Sequence, residues 1–287
     1  MSSDAVPPFI LRGKMNHDEE ARAGTKSAGG PALYSSPEIY DVAFGWDLSK
    51  ELDFLEELFR TRATGPVRRV LEPCCGTGRL LDALAARGYA VAGYDRSAEM
   101  VAYASARLRP KGGEAWSGEM TRFVPPSPPA PFDAAINLVN SIGYLLDDAS
   151  VEEHLARTAE ALRPGGIYVT QFSYGGEPPE LARFGPWGNR RGDLSTTLLW
   201  EVLREDAIAK RSHQHCRITA RRGSERRVIE EEHVLRYWTH EDVDRIVGKS
   251  PFALEAIYWD RFEEFPIEDY RIGEFGNLYH VLKLKRR

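Results

Sequence analysis

The segment 70–81 constrains the fold more than any other part of the sequence. It predicts a short buried strand, a turn that contains Gly76 and Gly78, and the start of a helix. A second apolar run, 91–94, ends in Asp95 and predicts the next strand. Strand, glycine turn, helix, strand and acid in this order are typical of an open α/β sheet that holds a nucleoside-containing cofactor. In such sheets the glycines let the backbone approach the ligand, and the acid binds the ribose hydroxyls.

The turn differs from the dinucleotide-binding fingerprint Gly-x-Gly-x-x-Gly. Its third glycine position holds Leu81, which we expect to pack the helix against the sheet. Glu72 stands at the entrance of the turn, where it would repel a pyrophosphate but not a cationic ligand. No Gly-Lys-Ser/Thr follows, which excludes a P-loop. An NAD-dependent oxidoreductase is therefore the less favoured alternative.

An acid, small residues and Gly-x-Gly in this order resemble motif I of the class I (Rossmann-like) S-adenosylmethionine-dependent methyltransferases. Three later stretches resemble that family in the same order: 118–120 after the third strand, 132–141 as the fourth strand and its loop, and 162–170 leading into the fifth. Cys74 and Glu119 stand where the family commonly has Gly and Asp. The resemblance implies an α/β fold with a seven-stranded, mostly parallel, doubly wound sheet, and S-adenosyl-L-methionine as the cofactor.

The resemblance also implies how the cofactor site is divided. The turn lines the methionine part of the cofactor, and Asp95 accepts hydrogen bonds from the ribose hydroxyls. Met100 and Met120 lie near the adenine, although either methionine could instead be a core residue. Tyr34 belongs to a segment that covers the cofactor in relatives. The residues expected to bind the cofactor are Tyr34, Glu72, Cys74, Gly76, Gly78, Asp95, Arg96, Met100, Glu119, Met120 and Asn137.

The sequence says less about which residues contact the methyl acceptor, because methyl transfer from a sulfonium mainly needs an aligned nucleophile and the exclusion of water. Asn140 and Ser141 follow the fourth predicted strand, where they should face the methyl group. Tyr40 precedes the first predicted helix, and Tyr144 follows the end of a strand, where ligands bind in open sheets. We assign Tyr40, Asn140 and Tyr144 to the reacting centre, although each aromatic residue could equally serve in packing.

Residues 31–287 are expected to form one methyltransferase domain, after a tail at 1–30 whose composition predicts disorder. Translation could begin at Met1 or at Met15. After the alternating strands and helices, segment 175–238 predicts a Gly/Pro-rich loop and an antiparallel β insertion, which resembles the small-molecule branch of the family. The strands predicted in the insertion are 196–203, 208–220 and 226–238.

Apolar residues at helical spacing predict four helices outside the glycine turn. The first has Ser49 as its N-cap, and the last begins with a capping box formed by Thr239 and Asp242. The predicted ranges are 48–59, 97–109, 149–162 and 241–247.

Composition limits the classes of partner. The chain has 287 residues, 42% of them apolar, and a formal net charge of −5. No apolar run approaches the roughly 20 residues that a membrane span needs, and the N-terminus lacks the pattern of a secretory signal, so we expect a cytoplasmic protein without a membrane partner. The acidic balance disfavours a nucleic-acid partner, since such domains are usually basic. The arginines at 217–227 are followed by three glutamates and are interpreted as a solvated hairpin tip.

Metal and disulfide chemistry are not expected. Three cysteines, two of them adjacent, form neither a disulfide framework nor a redox pair. His213 and His215 share a strand face and His233 lies on the next strand, but these histidines lack metal-ligand spacing. The sequence therefore predicts methyl transfer to N or O of a small-molecule acceptor by in-line displacement, with a homodimer through the insertion as a further expectation. An RNA or protein methyltransferase and a non-catalytic S-adenosylmethionine-binding module are the alternatives.

Overall fold

The structure is a computed structural model and describes residues 33–124, 131–175, 183–259, 262–266 and 276–285. The tail at 1–30, expected to be disordered, lies outside these ranges. The helices are α1 (Pro37–Ala43), α2 (Ser49–Thr61), α3 (Arg79–Ala86), α4 (Ala98–Leu108), α5 (Asp148–Ala161) and α6 (His240–Lys249). The strands are β1 (Arg69–Pro73), β2 (Ala90–Asp95), β3 (Glu114–Ser117), β4 (Phe132–Asn137), β5 (Leu162–Tyr174), β6 (Arg183–Arg191), β7 (Leu194–Asp206), β8 (Arg211–Arg222), β9 (Glu225–Arg236), β10 (Phe252–Tyr258), β11 (Glu264–Phe265) and β12 (Gly276–Leu284).

Eight of the described strands form one sheet, in the order β11-β10-β12-β5-β4-β1-β2-β3. Strands β1 to β5 are parallel, whereas β10, β11 and β12 pair antiparallel to their neighbours. The chain runs outward from β1 to β2 and β3 and returns to β4 on the other side of β1, so the carboxyl ends of β1 and β4 form a switch point where open sheets bind ligands. The predicted α/β sheet is confirmed. The predicted count of seven strands is wrong by one, because the two-residue β11 is too short to leave a sequence pattern.

Helices cover both faces of this sheet, so its central strands are apolar on both sides. Val70 and Leu71 in β1 are fully buried and belong to two separate hydrophobic clusters. Leu81 of α3 packs on the sheet, as expected: a Cβ on Gly93 of β2 would lie 2.6 Å from the Leu81 Cδ1. The absence of a side chain at Gly93 therefore lets α3 approach the strand closely.

The insertion forms a second, antiparallel sheet from four described strands, in the order β6-β7-β8-β9. Three of them match predicted strands, but β6 lies where the sequence predicts a Gly/Pro-rich loop. It is an edge strand, where proline is tolerated, and its pairing with β7 shifts register between Phe184 and Trp187, around a Gly-Pro pair. The side chains of Trp187 and Asn189 donate to the Ala43 carbonyl at 3.0 and 3.2 Å. Contacts with α1 thus hold β6 in place.

Local signals explain some of the helix boundaries and not others. The predicted capping box begins α6: Thr239 Oγ1 accepts from the Asp242 N–H at 3.3 Å, and Asp242 Oδ2 accepts from the Thr239 N–H at 3.1 Å. Ser49 does not cap α2 as predicted, because Asp47 Oδ1 accepts both its N–H and its hydroxyl. The sequence does not predict α1, which is only seven residues long and contains Tyr40. Among the helices of the described ranges, none is long and apolar enough to cross a membrane.

Candidate cofactor and acceptor site

The turn between β1 and α3 has three residues in a left-handed backbone conformation. Cys74, Gly76 and Gly78 have φ angles of 56°, 52° and 71°, in the region that favours glycine. Cys74 therefore adopts a backbone conformation that glycine would allow at lower cost. The N–H of Cys75 donates to the Tyr94 carbonyl at 3.0 Å, which fixes the turn against β2.

Asp95 lies at the end of β2 and holds two backbone segments together. Its Oδ2 accepts a hydrogen bond from the Gly76 N–H at 2.9 Å, and its Oδ1 accepts one from the Ser97 N–H at 2.9 Å. Burial raises the pKa of Asp95 above its ordinary value, although these two hydrogen bonds act in the opposite direction. A carboxylate has about four lone-pair sites, so Asp95 can also accept hydrogen bonds from the two hydroxyls of a ribose.

Three buried side-chain oxygens near this edge lack a hydrogen-bond partner within the described part of the chain: Glu72 Oε2, Asn137 Oδ1 and Asn140 Oδ1. The Asn137 amide donates to the Pro73 carbonyl at 2.9 Å, which holds it at the carboxyl ends of β1 and β4. Burial raises the pKa of Glu72 well above its usual range, and the nearby Asp95 adds to this. Because buried polar atoms are normally paired, these oxygens fit a ligand that brings N–H groups or positive charge.

The residues expected at the adenine divide into buried and exposed ones. Met100 is fully buried and Met120 is partly buried against the core. Arg96 and Glu119 have exposed side chains, and Glu119 pairs with Arg122 at 3.0 Å. The structure thus places Arg96 and Glu119 at a rim, and their contact with a cofactor stays a prediction.

Helix α1 and the segment before it lie beside the turn. A Cβ on Gly76 would be 3.8 Å from Cε1 of Tyr40, and the Tyr40 ring stacks on Phe44 with centroids 4.4 Å apart. Upstream of the helix, the Tyr34 carbonyl accepts a hydrogen bond from the Ser97 hydroxyl at 2.9 Å. Tyr34 and Tyr40 are therefore placed where a cover over the cofactor would lie.

Asp41 connects α1 to three other elements, although no sequence motif marks it. Its carboxylate accepts hydrogen bonds from the Thr77 hydroxyl at 2.7 Å, from Arg107 at 2.6 Å and from Arg191 at 2.5 Å. Burial alone would raise the pKa of Asp41, but these hydrogen bonds lower it to about 2. The buried carboxylate is therefore charged, and it fastens α1 to the cofactor turn, to α4 and to β6.

A chain of three hydrogen-bonded side chains links the two sheets. Tyr34 Oη and Tyr144 Oη are 2.6 Å apart, and Tyr144 Oη lies 3.0 Å from His233 Nδ1. His233 is buried in β9 and stacks on Trp200 with ring centroids 4.9 Å apart. Burial lowers the pKa of His233 to about 4, with a smaller contribution from His215. The imidazole is therefore neutral at pH 7.

His233 differs from His213 and His215, although the three histidines lie close together on two neighbouring strands. His213 and His215 lie on the opposite face of the insertion, where they contact Arg204 and Glu201. The described residues contain no group of three or more side chains that could hold a metal ion. The inward face of β9 is partly polar, so a hydrophobicity pattern does not reveal it. Only the strand register distinguishes His233 from the other two.

Glu231 is a second polar residue on the inward face of β9. Its Oε2 accepts a hydrogen bond from the Leu33 N–H at 3.1 Å, which fixes the segment before α1. Burial raises the pKa of Glu231, and its Oε1 lies 4.0 Å from His233 Nδ1. The insertion thus places a carboxylate and an imidazole beside Tyr34 and Tyr144, which sequence motifs do not anticipate.

Part of the chain is similar to known methyltransferases. Residues 70–166 match the model of a family described as a methyltransferase domain. The dTDP-3-amino-3,4,6-trideoxy-alpha-D-glucopyranose N,N-dimethyltransferase of Streptomyces venezuelae is 28% identical over 137 residues, 47% of this chain and 55% of that protein. The dTDP-3-amino-3,6-dideoxy-alpha-D-glucopyranose N,N-dimethyltransferase of Streptomyces fradiae is 33% identical over 150 residues, 50% of this chain and 56% of that protein. The chain spans about half the length of the curated relatives it matches.

A solved structure resembles the chain over most of its length. SAM-bound CalS10, an amino pentose methyltransferase from Micromonospora echinaspora, superposes with a TM-score of 0.65 at 18% identity, covering 94% of this chain and 100% of that chain. At this identity the likeness supports the fold alone. The family match thus makes residues 70–166 similar to a methyltransferase domain, and the strand order of the whole chain is that of a Rossmann-like methyltransferase fold.

Proposed function

We propose that the protein binds S-adenosyl-L-methionine and transfers its methyl group to the amine nitrogen of a small-molecule acceptor, a nucleotide-linked amino sugar. The arrangement around the glycine turn carries the proposal. Asp95 is fixed there by the N–H groups of Gly76 and Ser97, close to the unpaired oxygens of Glu72 and Asn137. A ligand with a nucleoside at one end can donate its ribose hydroxyls to Asp95. An ammonium and a sulfonium at its other end bring N–H groups and positive charge to the oxygens of Glu72 and Asn137.

The residues present fit this cofactor. Asp95 would accept hydrogen bonds from the ribose hydroxyls, and Glu72 and Asn137 would accept them from the ammonium group. Tyr40 lies beside Gly76, and an aromatic face near a cation contributes about 0.5–2 kcal/mol. When bound, the cofactor supplies a methyl group already activated by the sulfonium. The chain has to align the nucleophile with that methyl group and exclude water.

The amine acceptor is inferred from the relatives and from the acceptor side of the site. Both curated relatives are named as N,N-dimethyltransferases of dTDP-linked amino sugars, and CalS10 is named as an amino pentose methyltransferase. In this chain the Tyr34 and Tyr144 hydroxyls, the His233 imidazole and the Glu231 carboxylate form one polar group. Such groups can hold the N–H bonds of a neutral amine while its lone pair attacks in line.

An RNA or protein acceptor is the less favoured alternative. Two of the arginines at the β8–β9 hairpin have acidic partners: Arg217 lies 3.1 Å from Glu230, and Arg222 lies 2.5 Å from Glu38. Their charge is thus partly neutralised within the protein, which weakens the electrostatic attraction that nucleic-acid binding depends on. Salt-sensitive binding of RNA to the purified protein would contradict the proposed small-molecule acceptor.

The proposal also includes a cytoplasmic location and a homodimer formed through the insertion. The inward face of the insertion packs on α1 and Leu33, so a second copy would have to meet the outward face. Sedimentation equilibrium distinguishes such a dimer from a monomer.

Calorimetric titration with S-adenosylhomocysteine tests the cofactor assignment, with NAD as the control ligand. We expect binding of S-adenosylhomocysteine alone. Asp95→Ala should weaken it by about tenfold or more, because hydrogen bonds to a charged group are lost. Glu114→Ala removes an exposed carboxylate from the neighbouring β3 and should leave the affinity unchanged. Unchanged affinity in a folded Asp95→Ala protein would contradict the site assignment.

Transfer of a labelled methyl group to a dTDP-linked amino sugar completes the test. We expect turnover of the amino sugar and none of the matched dTDP-sugar that carries a hydroxyl in place of the amine. Turnover of the hydroxyl sugar would reassign the reaction to oxygen. Binding of S-adenosylhomocysteine without turnover of either sugar would favour a non-catalytic binding module.

A further inference from the structure

The hydrogen-bond chain of Tyr34, Tyr144 and His233 joins three separate parts of the molecule. Tyr34 precedes α1, Tyr144 ends the short 3-10 helix Ser141–Tyr144 after β4, and His233 lies in β9 of the insertion. The two phenol oxygens are 2.6 Å apart, and the second lies 3.0 Å from the imidazole Nδ1. The insertion thus reaches the acceptor side of the site through the His233 imidazole, next to Glu231.

His233 is the rigid end of this chain. Its side chain is 3% exposed and stacks on Trp200, whose indole N–H donates to Gln214 at 2.6 Å. Gln214 in turn donates to the Ser212 hydroxyl at 3.0 Å. These hydrogen bonds fix the Trp200 indole, which packs against one face of the His233 ring within the sheet. The two tyrosines lie outside the strands, one in the segment before α1 and the other at the end of the 3-10 helix Ser141–Tyr144.

We propose that His233 is a positioning residue for the acceptor amine: it fixes the Tyr144 hydroxyl, which in turn fixes the Tyr34 oxygen as a hydrogen-bond acceptor for the amine N–H. This inference rests on the proposed function. In every arrangement of protons along the chain, the Tyr34 oxygen keeps at least one lone pair, because a phenol oxygen has two and accepts at most one hydrogen bond from Tyr144. An amine held through its N–H keeps its own lone pair free for the methyl group.

The neutral state of His233 suits this role. Burial lowers its pKa to about 4, so the ring adds no positive charge next to a cationic cofactor and an amine. The titratable groups around it are Glu231, whose Oε1 is 4.0 Å from Nδ1, the two tyrosines and His215. A neutral imidazole has one donor and one acceptor nitrogen and can therefore bond a phenol in either direction.

Variants of the full-length protein test the proposal by kinetics with the dTDP-linked amino sugar. His233→Leu removes the bond to Tyr144, and kcat/KM should fall about ten- to a hundredfold because the acceptor is misplaced, while the affinity for S-adenosylhomocysteine stays unchanged. His233→Asn keeps a polar atom near the Nδ1 position and should recover most of the loss. Tyr144→Phe should add little to His233→Leu, because both break the same chain. His213→Leu, on the outward face, is the control and should not change kcat/KM.

A measurement independent of activity separates this inference from the proposed function. The 15N resonance of His233 Nδ1 should shift in Tyr144→Phe and should not shift in His213→Leu. The positioning role is overturned if there is no shift, or if His233→Leu and His233→Asn lose equal activity and combine additively with Tyr144→Phe. If the resonance shifts but the wild-type protein methylates no amine, the proposed function fails and the acceptor role fails with it.

Discussion

Where α3 packs on β2, a leucine of the helix lies against a glycine of the strand. In a dinucleotide-binding turn the third glycine lies in the helix and lets it approach the strand. Here Leu81 occupies the helix position, and the space comes from Gly93 on β2. A Cβ on Gly93 would lie 2.6 Å from Leu81 Cδ1 and 2.7 Å from Cys75 Cβ. The sequence predicts that Leu81 packs on the sheet, but only the structure shows which residue makes room for it.

Gly93→Ala should lower the free energy of unfolding by about 1–3 kcal/mol, because an extra methyl group overpacks the contact. Leu81→Ala alone should cost about 2–5 kcal/mol through the cavity it leaves. The double variant should lose less than the sum, since the new methyl group occupies part of that cavity. Urea unfolding measures all three. Gly248→Ala is the control: this residue lies in α6, where an added Cβ would meet open space. The substitution should raise the free energy of unfolding by about 0.5–1 kcal/mol. Strict additivity would show that the two side chains do not compete for the same space.

At the scale of elements, α1 depends on its neighbours for its stability. It has seven residues, and isolated helices shorter than about 12 residues are marginal in water. Its carboxylate Asp41 binds three other elements, and its last carbonyl, on Ala43, accepts from Trp187 and Asn189 of β6. The same contacts order β6, although the Gly and Pro residues in this segment predict a loop. The sequence predicts neither element, because both depend on tertiary contacts: α1 contacts the cofactor turn and β6, and β6 contacts β7 and α1.

Asp41→Asn should detach α1 from the cofactor turn. Two arginines would lose their shared carboxylate, and breaking a buried ion pair costs about 3–5 kcal/mol of unfolding free energy. Hydrogen exchange should accelerate in α1 and in the turn, and the affinity for S-adenosylhomocysteine should fall. Glu38→Gln, on the same helix, breaks only the exposed pair with Arg222 and should cost about 1 kcal/mol or less. Equal effects of the two substitutions would argue against a special role for Asp41.

At the scale of the whole molecule, the candidate site has two halves with different origins. The cofactor half comes from consecutive segments of the parallel sheet, so Glu72, Gly76 and Asp95 can be recognised from the sequence. The acceptor half is assembled from the segment before α1, the turn after β4 and the insertion. His233 reaches it only because the register of β8 and β9 turns that residue inward, while the nearby His213 faces outward. A pattern of polar residues along a strand does not contain this information.

Buried neutral histidines in α5 and in both sheets should make the molecule sensitive to acid. Burial lowers the pKa of His154 and of His233 to about 4 and that of His280 to about 3, against an ordinary value of 6.5. Between those values the unfolded chain takes up protons that the native protein does not, so the free energy of unfolding falls as the pH falls. Buried carboxyls with raised pKa values, such as Glu72, act in the opposite direction. The contribution of the histidines to this pH dependence must therefore be measured by substituting one of them.

His154 is suited to this measurement, because it lies away from the acceptor residues. Its imidazole connects Tyr168 Oη, at 2.7 Å, to the Met120 carbonyl, at 3.2 Å. His154→Gln should be less stable than the wild type above pH 6.5 because it disturbs both hydrogen bonds. As the pH falls from 6.5 towards 4, the wild type loses about 1.4 kcal/mol per pH unit through this histidine and the variant does not. Urea unfolding on both sides of pH 6.5 should therefore show a stability difference that shrinks with acid. A difference that stays constant would mean that His154 takes up a proton as readily in the native protein as in the unfolded chain.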